Sequence, residues 1–289
     1  MFVPLDGLTG NDAGDAAPSA TSATDTEGGT GGPETGAAEG GSGSDARADG
    51  GSSPRMDAGD EDASPAAADS GDEGEAGDES TPLGPVAFVQ VAASTPGGSV
   101  HRVSATFAQQ QSAGDLNVVA IGWNDTTADI ADVSDSSGNV YQLAVGPTQL
   151  GQDLTQAIYY APNIAAADAA ANVVTVTFAT RANVVDLRVL EYSGLDPVAP
   201  FDGASDGSGD DQGPAASGTV STSAARSLLV GAGMTTDAFT DPGTGYTMRQ
   251  VTDDGDMVED MVVSSPGSYD AEASVSSSCE WVIQVAAFH

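Results

Sequence analysis

Two histidines, His101 and His289, one cysteine, Cys279, and a large excess of carboxylates are the groups through which this 289-residue chain could do chemistry. Nucleophilic catalysis needs a hydroxyl or thiol beside a base, most often histidine. With His289 the last residue and His101 alone in a Ser/Val-rich run, a Ser-His-Asp hydrolase is not expected. Two histidines and an isolated cysteine do not make a zinc spacing either. Cys279, beside Trp281 and Val282, reads as a small core or edge residue. Glycoside hydrolysis needs two carboxyls across a cleft. Glu191, in Leu190-Glu191-Tyr192 at the end of an apolar strand, is the acid best placed to be buried, with a loop carboxylate as its partner. The competing reading is a structural ion pair with Arg188 or Arg181.

Calcium takes six to eight oxygens, commonly from Asp- and Asn-rich loops. Three stretches qualify: Asn124-Asp125 with Asp129, Asp206 to Asp211, and Asp253-Asp254-Gly255-Asp256 with Glu259-Asp260. The last is the candidate cation site, through Asp253, Asp254 and Asp256, against the alternative of a solvated hairpin tip. Sugar-binding sandwiches stack rings on exposed aromatics with amides and acids alongside. Trp123-Asn124-Asp125 at a strand end, and the adjacent Tyr159 and Tyr160, are the candidates for ligand binding. Neighbouring strand residues point to opposite faces, so one tyrosine is expected in the core and the other outside. For Trp123 and Trp281 the competing reading is core filling.

Strands must position these groups. Leu116 to Trp123 is apolar on both alternating sets, which a central strand covered on both sides can bury. Asp135-Ser136-Ser137-Gly138-Asn139 carries turn chemistry. From Pro85 onward, short Val/Thr/Tyr/Phe runs broken by Gly, Pro, Asn and Asp predict an all-β sandwich. The second half repeats the first. Ala113 to Trp123 corresponds with a small slip to Ala224 to Met234, and each half closes on a long apolar strand, Val184 to Tyr192 and Trp281 to Phe288. Two degenerate six-strand halves in one jelly-roll-like sandwich of about twelve strands is the expected architecture. The connection Leu195 to Ser217 keeps apolar anchors Val198 and Phe201, which favours one domain over residues 84–289.

Residues 1–83 differ in kind. They are Gly, Ala, Ser, Thr, Asp, Glu and Pro, with 19 acidic residues against Arg47 and Arg55. Such a segment reads as a disordered acidic tether, because it lacks the apolar surface to offset chain entropy. The formal charge is −36, with no lysine in the chain. Phosphate affinity comes from Lys and Arg, so nucleic-acid and anionic-membrane binding are not expected. No apolar run is long enough to span a bilayer, and Met1-Phe2-Val3-Pro4-Leu5 does not read as a signal peptide. The apolar start followed by an acidic tether nonetheless resembles the region just after the lipid-modified cysteine of exported bacterial lipoproteins. The expectation is that an export signal lies upstream of the chain given.

The motifs SATFAQQQSAGDLNVVAIGWND, DSSGNVY, QAIYYAPNI, NVVTVTF, EYSGLD and WVIQVAAFH together resemble a recurring, functionally uncharacterised β-sandwich domain of bacterial exported and surface proteins. The resemblance covers about residues 86–289. It implies an extracytoplasmic domain, often beside adhesion-like or carbohydrate-binding modules, and assigns no catalytic residue. The expected function is therefore a non-catalytic surface binding or adhesion module for a glycan or a surface protein. A glycan-active hydrolase using Glu191 and a structural spacer are the alternatives. No cofactor is expected beyond a calcium ion.

Overall fold

The computed structural model describes residues 83–289, all within one compact unit. The tether expected over 1–83 therefore lies, except for Leu83, outside the described residues. The first half contributes β1 (Ala87–Ser94), β2 (Ser99–Thr106), β3 (Leu116–Trp123), β4 (Ile130–Asp135), β5 (Gln142–Leu150), β6 (Leu154–Ala161), β7 (Val173–Asn183) and β8 (Val185–Ser193). The second contributes β9 (Phe201–Gly209), β10 (Ala215–Ala216), β11 (Val220–Thr222), β12 (Ser227–Thr235), β13 (Phe239–Pro242), β14 (Thr247–Val251), β15 (Met257–Val263), β16 (Gly267–Tyr269), β17 (Glu272–Val275) and β18 (Trp281–Phe288).

Each half is wound like one long antiparallel hairpin rolled on itself. In the first, β1 pairs with β8, β2 with β7 and β3 with β6. In the second, β9 pairs with β18, β10 with β17, β11 with β16 and β12 with β15. This is jelly-roll connectivity, as expected from the sequence. The sheets run β1-β8-β3-β6-β5 and β2-β7-β4 in the first half, and β14-β15-β12-β18-β9, β10-β17-β13 and β11-β16 in the second. Among the described residues eighteen strands replace the dozen expected, in part because the counterparts of β2 and β7 are each broken in two in the second half.

The broad sheets of the two halves face each other, and the narrow sheets cover their outer sides, giving four layers. Leu116, Val118 and Ala120 of β3 meet Leu228, Val230 and Ala232 of β12 in the central core. On its other face β3 presents Val119, Ile121 and Trp123 to Val103 and Ala105 of β2 and to Val174, Val176 and Phe178 of β7. Leu229, Ile283, Val285 and Ala287 meet Val220, Phe239, Ala273 and Val275 in the mirror-image core of the second half. Every residue of β3, β12 and β18 is buried, which is why their sequences show no alternation.

Register makes the repeat quantitative. Leu116 lies opposite Tyr192 across β3 and β8, and Leu228 lies opposite Phe288 across β12 and β18. Trp123 therefore corresponds to Thr235, one residue beyond the Met234 that sequence comparison alone selects. Each half thus serves as an internal control for the other. A buried polar group present in one half and replaced by a small or apolar residue in the other is not demanded by the fold.

Candidate functional site

Trp123 lies in the first core at 1% exposure, edge-on to Phe178 with ring centroids 5.4 Å apart. It has no open face for a sugar. Asn124 continues the sheet by donating its backbone N–H to the Asn183 carbonyl at 2.8 Å. Asp125 organises the following turn: Oδ1 accepts from the N–H groups of Thr127 (2.9 Å) and Ala128 (2.8 Å), and Oδ2 from that of Asn183 (2.9 Å). Burial pushes this carboxyl up, but the hydrogen bonds outweigh it and hold it below the usual range. Tyr160 points into the central core and stacks on Phe201 at 5.5 Å, while Tyr159 packs half-buried against the first core. The expectation of one outward tyrosine is not met, because β6 is covered on both faces.

Asp253 and Asp254 stand exposed on the turn between β14 and β15, whereas Asp256 turns inward at 2% exposure. Its Oδ1 accepts from Thr235 N–H at 2.9 Å, and its Oδ2 lies 3.8 Å from Arg188 Nη2. The three carboxylates do not converge. Among the described residues no three His, Cys, Asp or Glu side chains gather as metal ligands.

Arg188 is the centre of a buried polar cluster between the two halves, which the sequence reading did not find. Its Nε pairs with Asp186 Oδ1 at 3.0 Å, and Nη1 donates to the carbonyls of Gly233 (2.7 Å) and Met257 (2.8 Å). Nη2 donates to Gln156 Oε1 at 3.2 Å. By register Arg188 corresponds to Gln284, and Asp256 to Gln156. Gln284 in turn donates to the Gln156 carbonyl at 2.9 Å. Each half thus supplies one charged side chain and one amide to these matched positions. Burial, opposed by Arg188 and aided by Asp186, pushes Asp256 up to about 8.

Arg188 and Glu191 lie on opposite faces of β8, three residues apart, so the ion pair considered for Glu191 does not form. Glu191, fully buried, accepts on Oε2 from Gln90 Nε2 at 2.6 Å and touches the carboxyl of Asp115. Two carboxyls in contact cannot both ionise cheaply, and burial with the Glu191 charge pushes Asp115 up to about 7. Glycosidases keep their carboxyls roughly 5–9.5 Å apart with substrate between them. This pair is closed. The corresponding positions in the second half are Gly203, Ala287 and Ser227, so the pair is an addition to the fold.

Beside it a second polar chain leads outward. Gln111 donates to Asn117 Oδ1 (2.9 Å), Asn117 to the Tyr141 hydroxyl (3.2 Å), and Tyr141 to Asp135 Oδ2 (3.0 Å). Asn172 closes the loop by donating to Gln111 Oε1 (2.7 Å) and Asp135 Oδ2 (3.0 Å). Asp135 also holds its own turn, accepting from the N–H groups of Ser137 and Asn139.

Asp135 emerges at the wall of a groove of about 270 Å³ on the outer face of β2-β7-β4, lined by Arg102, Asp132, Ser134, Ser136, Thr175 and Thr177 among others. The alternation of β7 buries Val174, Val176 and Phe178 and leaves Val173, Thr175 and Thr177 to this face. Register sets the lining in rows. Arg102, Thr177 and Asp132 form one, and Ser104, Thr175 and Ser134 the next. The Ser104 and Thr175 hydroxyls are 2.9 Å apart, and Ser134 donates to Asp132 Oδ2 at 2.8 Å. Arg102 is exposed and makes no ion pair among the described residues. Hydroxyls that both donate and accept, flanked by a guanidinium and a carboxylate two strands apart, suit a hydroxyl-rich ligand. The period-two Val/Thr pattern of β7 was visible in the sequence. The partners from β2 and β4 required the fold.

Gly203-Ala204-Ser205-Asp206-Gly207 has the spacing of a nucleophile elbow but runs inside β9, where Ser205 donates to the Ser217 carbonyl at 2.9 Å. An elbow needs a sharp strand-to-helix turn, and here the strand continues. In comparisons with known protein families, curated proteins and solved structures, the chain matches none.

Proposed function

We propose that the domain is a non-catalytic, extracytoplasmic surface binding module whose ligand lies on the hydroxyl-lined face of β2-β7-β4. The ligand class is a glycan carrying a carboxylate or vicinal hydroxyls for Arg102. The observation that carries this reading is the pair of cross-strand rows Arg102-Thr177-Asp132 and Ser104-Thr175-Ser134, set by the antiparallel register, with Asp135, held by Tyr141, in the groove wall. The sheet fixes the backbone beneath these groups, so the ordering cost on binding falls on the side chains alone. The carboxyls of Glu191, Asp256 and Glu259, by contrast, are buried, which argues against the hydrolase. The resemblance to domains of exported and surface proteins supports the location.

The test is a glycan array probed with the full chain, with and without calcium, followed by product analysis of each bound sugar. Bound and intact acidic or polyhydroxy sugars are expected, with Arg102→Ala weakening them about tenfold or more, the worth of a hydrogen bond to a charged group. Cleaved sugar, or binding that ignores Arg102→Ala and Thr177→Val, would overturn the reading.

A further inference from the structure

Beyond Arg102 the pairing of β2 with β7 slips. Val100 pairs with Ala182 and Arg102 with Thr177, which leaves His101 alone on one strand against Phe178 to Arg181 on the other. Such a bulge breaks the alternation of both strands. On β2 it turns His101 and Arg102 outward together, between half-buried Val100 and buried Val103. On β7, Phe178 goes inward to meet Trp123 and Ala182 follows it inward, so Ala179, Thr180 and Arg181 are all left exposed. Arg181 Nη1 donates to the Ser99 carbonyl, which holds its guanidinium against β2. Arg102, Arg181 and His101 thus crowd one end of the outer sheet, in a chain whose acids outnumber its basic residues 43 to 7. Neither arginine makes an ion pair among the described residues.

Like charges side by side on neighbouring strands cost stability, and the second half shows that the fold does not ask for them. Val103 opposite Val176 matches Ala215 opposite Ala273, so His101 and Arg102 correspond to Gly213 and Pro214, and Ala179 to Arg181 correspond to Ser276-Ser277-Ser278. Away from this end the groove changes sign: Asp132 and Asp135 stand along its β4 side, with Ser134 and Thr175 between them and β2. We infer that the groove takes its glycan in one direction, with a single terminal carboxylate between Arg102 and Arg181 beside His101, and uncharged sugars over the hydroxyl rows. This inference rests on the glycan reading and narrows it. A planar guanidinium matches a carboxylate through two parallel N–H groups, and an anion between two guanidiniums removes their mutual repulsion. A glycan with an acid on every sugar would set carboxylates against Asp132 and Asp135, and the formal charge of −36 adds to that repulsion.

The test is an NMR titration of the full isotope-labelled chain at physiological salt with four probes. Sialyl-lactose and glucuronyl-lactose each carry one terminal acid on a neutral disaccharide, lactose lacks the acid, and trigalacturonate is acidic at every sugar. At least one capped trisaccharide is expected to give saturable shifts at Thr175, Thr177 and Arg181, with an affinity about tenfold or more above that of lactose and of trigalacturonate. Arg181→Ala should weaken it about fivefold, the upper worth of an exposed ion pair. Arg181→Lys, which keeps the charge and loses the fork, should recover part of the loss. Arg226→Ala, the same loss of charge before β12 in the second half, should change nothing. Trigalacturonate or lactose binding as well as the capped sugars, or affinity indifferent to Arg181→Ala, would overturn the inference and leave the glycan reading standing wherever Arg102→Ala and Thr177→Val still weaken binding. No saturable shift with either capped trisaccharide would also overturn it, while the array decides the broader reading separately.

Discussion

Replacing Glu259 with glutamine should make the protein more stable above neutral pH and leave it nearly unchanged near pH 4.5. Glu259 is completely buried opposite Gly231, in the position that Tyr159 fills in the first half. Its Oε2 accepts from Gly243 N–H at 2.9 Å, and its Oε1 has no hydrogen-bond partner. Burial, only partly offset by that hydrogen bond, pushes the carboxyl from 4.5 up to about 7. The folded chain thus holds the proton more tightly than the unfolded chain. No penalty exists below pH about 4.5, it grows as the unfolded form ionises, and it is complete once the pH passes about 7. At about 1.4 kcal/mol per unit the full penalty is about 3 kcal/mol. Glutamine keeps the acceptor for Gly243 and cannot ionise. The variant should therefore melt about 6–12 °C above the wild type at pH 8, using about 2–4 °C per kcal/mol for a domain of this size. Thermal or urea unfolding of both proteins from pH 4.5 to 8.5 is the assay. Parallel stability curves would refute the reasoning, because they would mean that Glu259 ionises freely in the folded state.

Arg188→Met should destabilise the domain by about 3–5 kcal/mol, the cost of stranding a buried charge, here Asp186, seen as a lower urea midpoint with an unchanged slope. An effect below about 1 kcal/mol would mean the cluster between the halves is not a unit. Glu191→Gln should return the Asp115 carboxyl from about 7 toward the normal range, since the charge that opposes its ionisation is gone. Carboxyl-carbon NMR titration reads this directly, and an unmoved Asp115 would mean that burial alone sets its value.

The fold was largely legible in the sequence. The doubly apolar β3 demands cover on both sides, and the Ala113 to Trp123 and Ala224 to Met234 correspondence announces the repeat. Strand number and layering were less legible. Three-residue strands such as β11 and β16 are too short to show a period, and the facing of the two broad sheets depends on contacts between distant segments. The candidate site was least legible. Trp123 and the tyrosine pair stood out as aromatics, but an aromatic ring at a strand end looks the same in sequence whether a second sheet covers it or not. Arg188 and Glu191 lie in one strand and differ by an odd number, so alternation alone argued against their pairing. The rows that line the groove join β2, β4 and β7, with paired residues as far apart in sequence as Arg102 and Thr177, which only the antiparallel register brings together.

The measurement that bears most directly on the central claim is a titration of the full chain with an acidic oligosaccharide selected on the array. Wild type, Arg102→Ala and Thr177→Val would be compared by calorimetry. Intact ligand bound once per chain, weakened about tenfold by Arg102→Ala and measurably by Thr177→Val, is the predicted result. Affinity unchanged in both variants would place the ligand elsewhere and contradict the account.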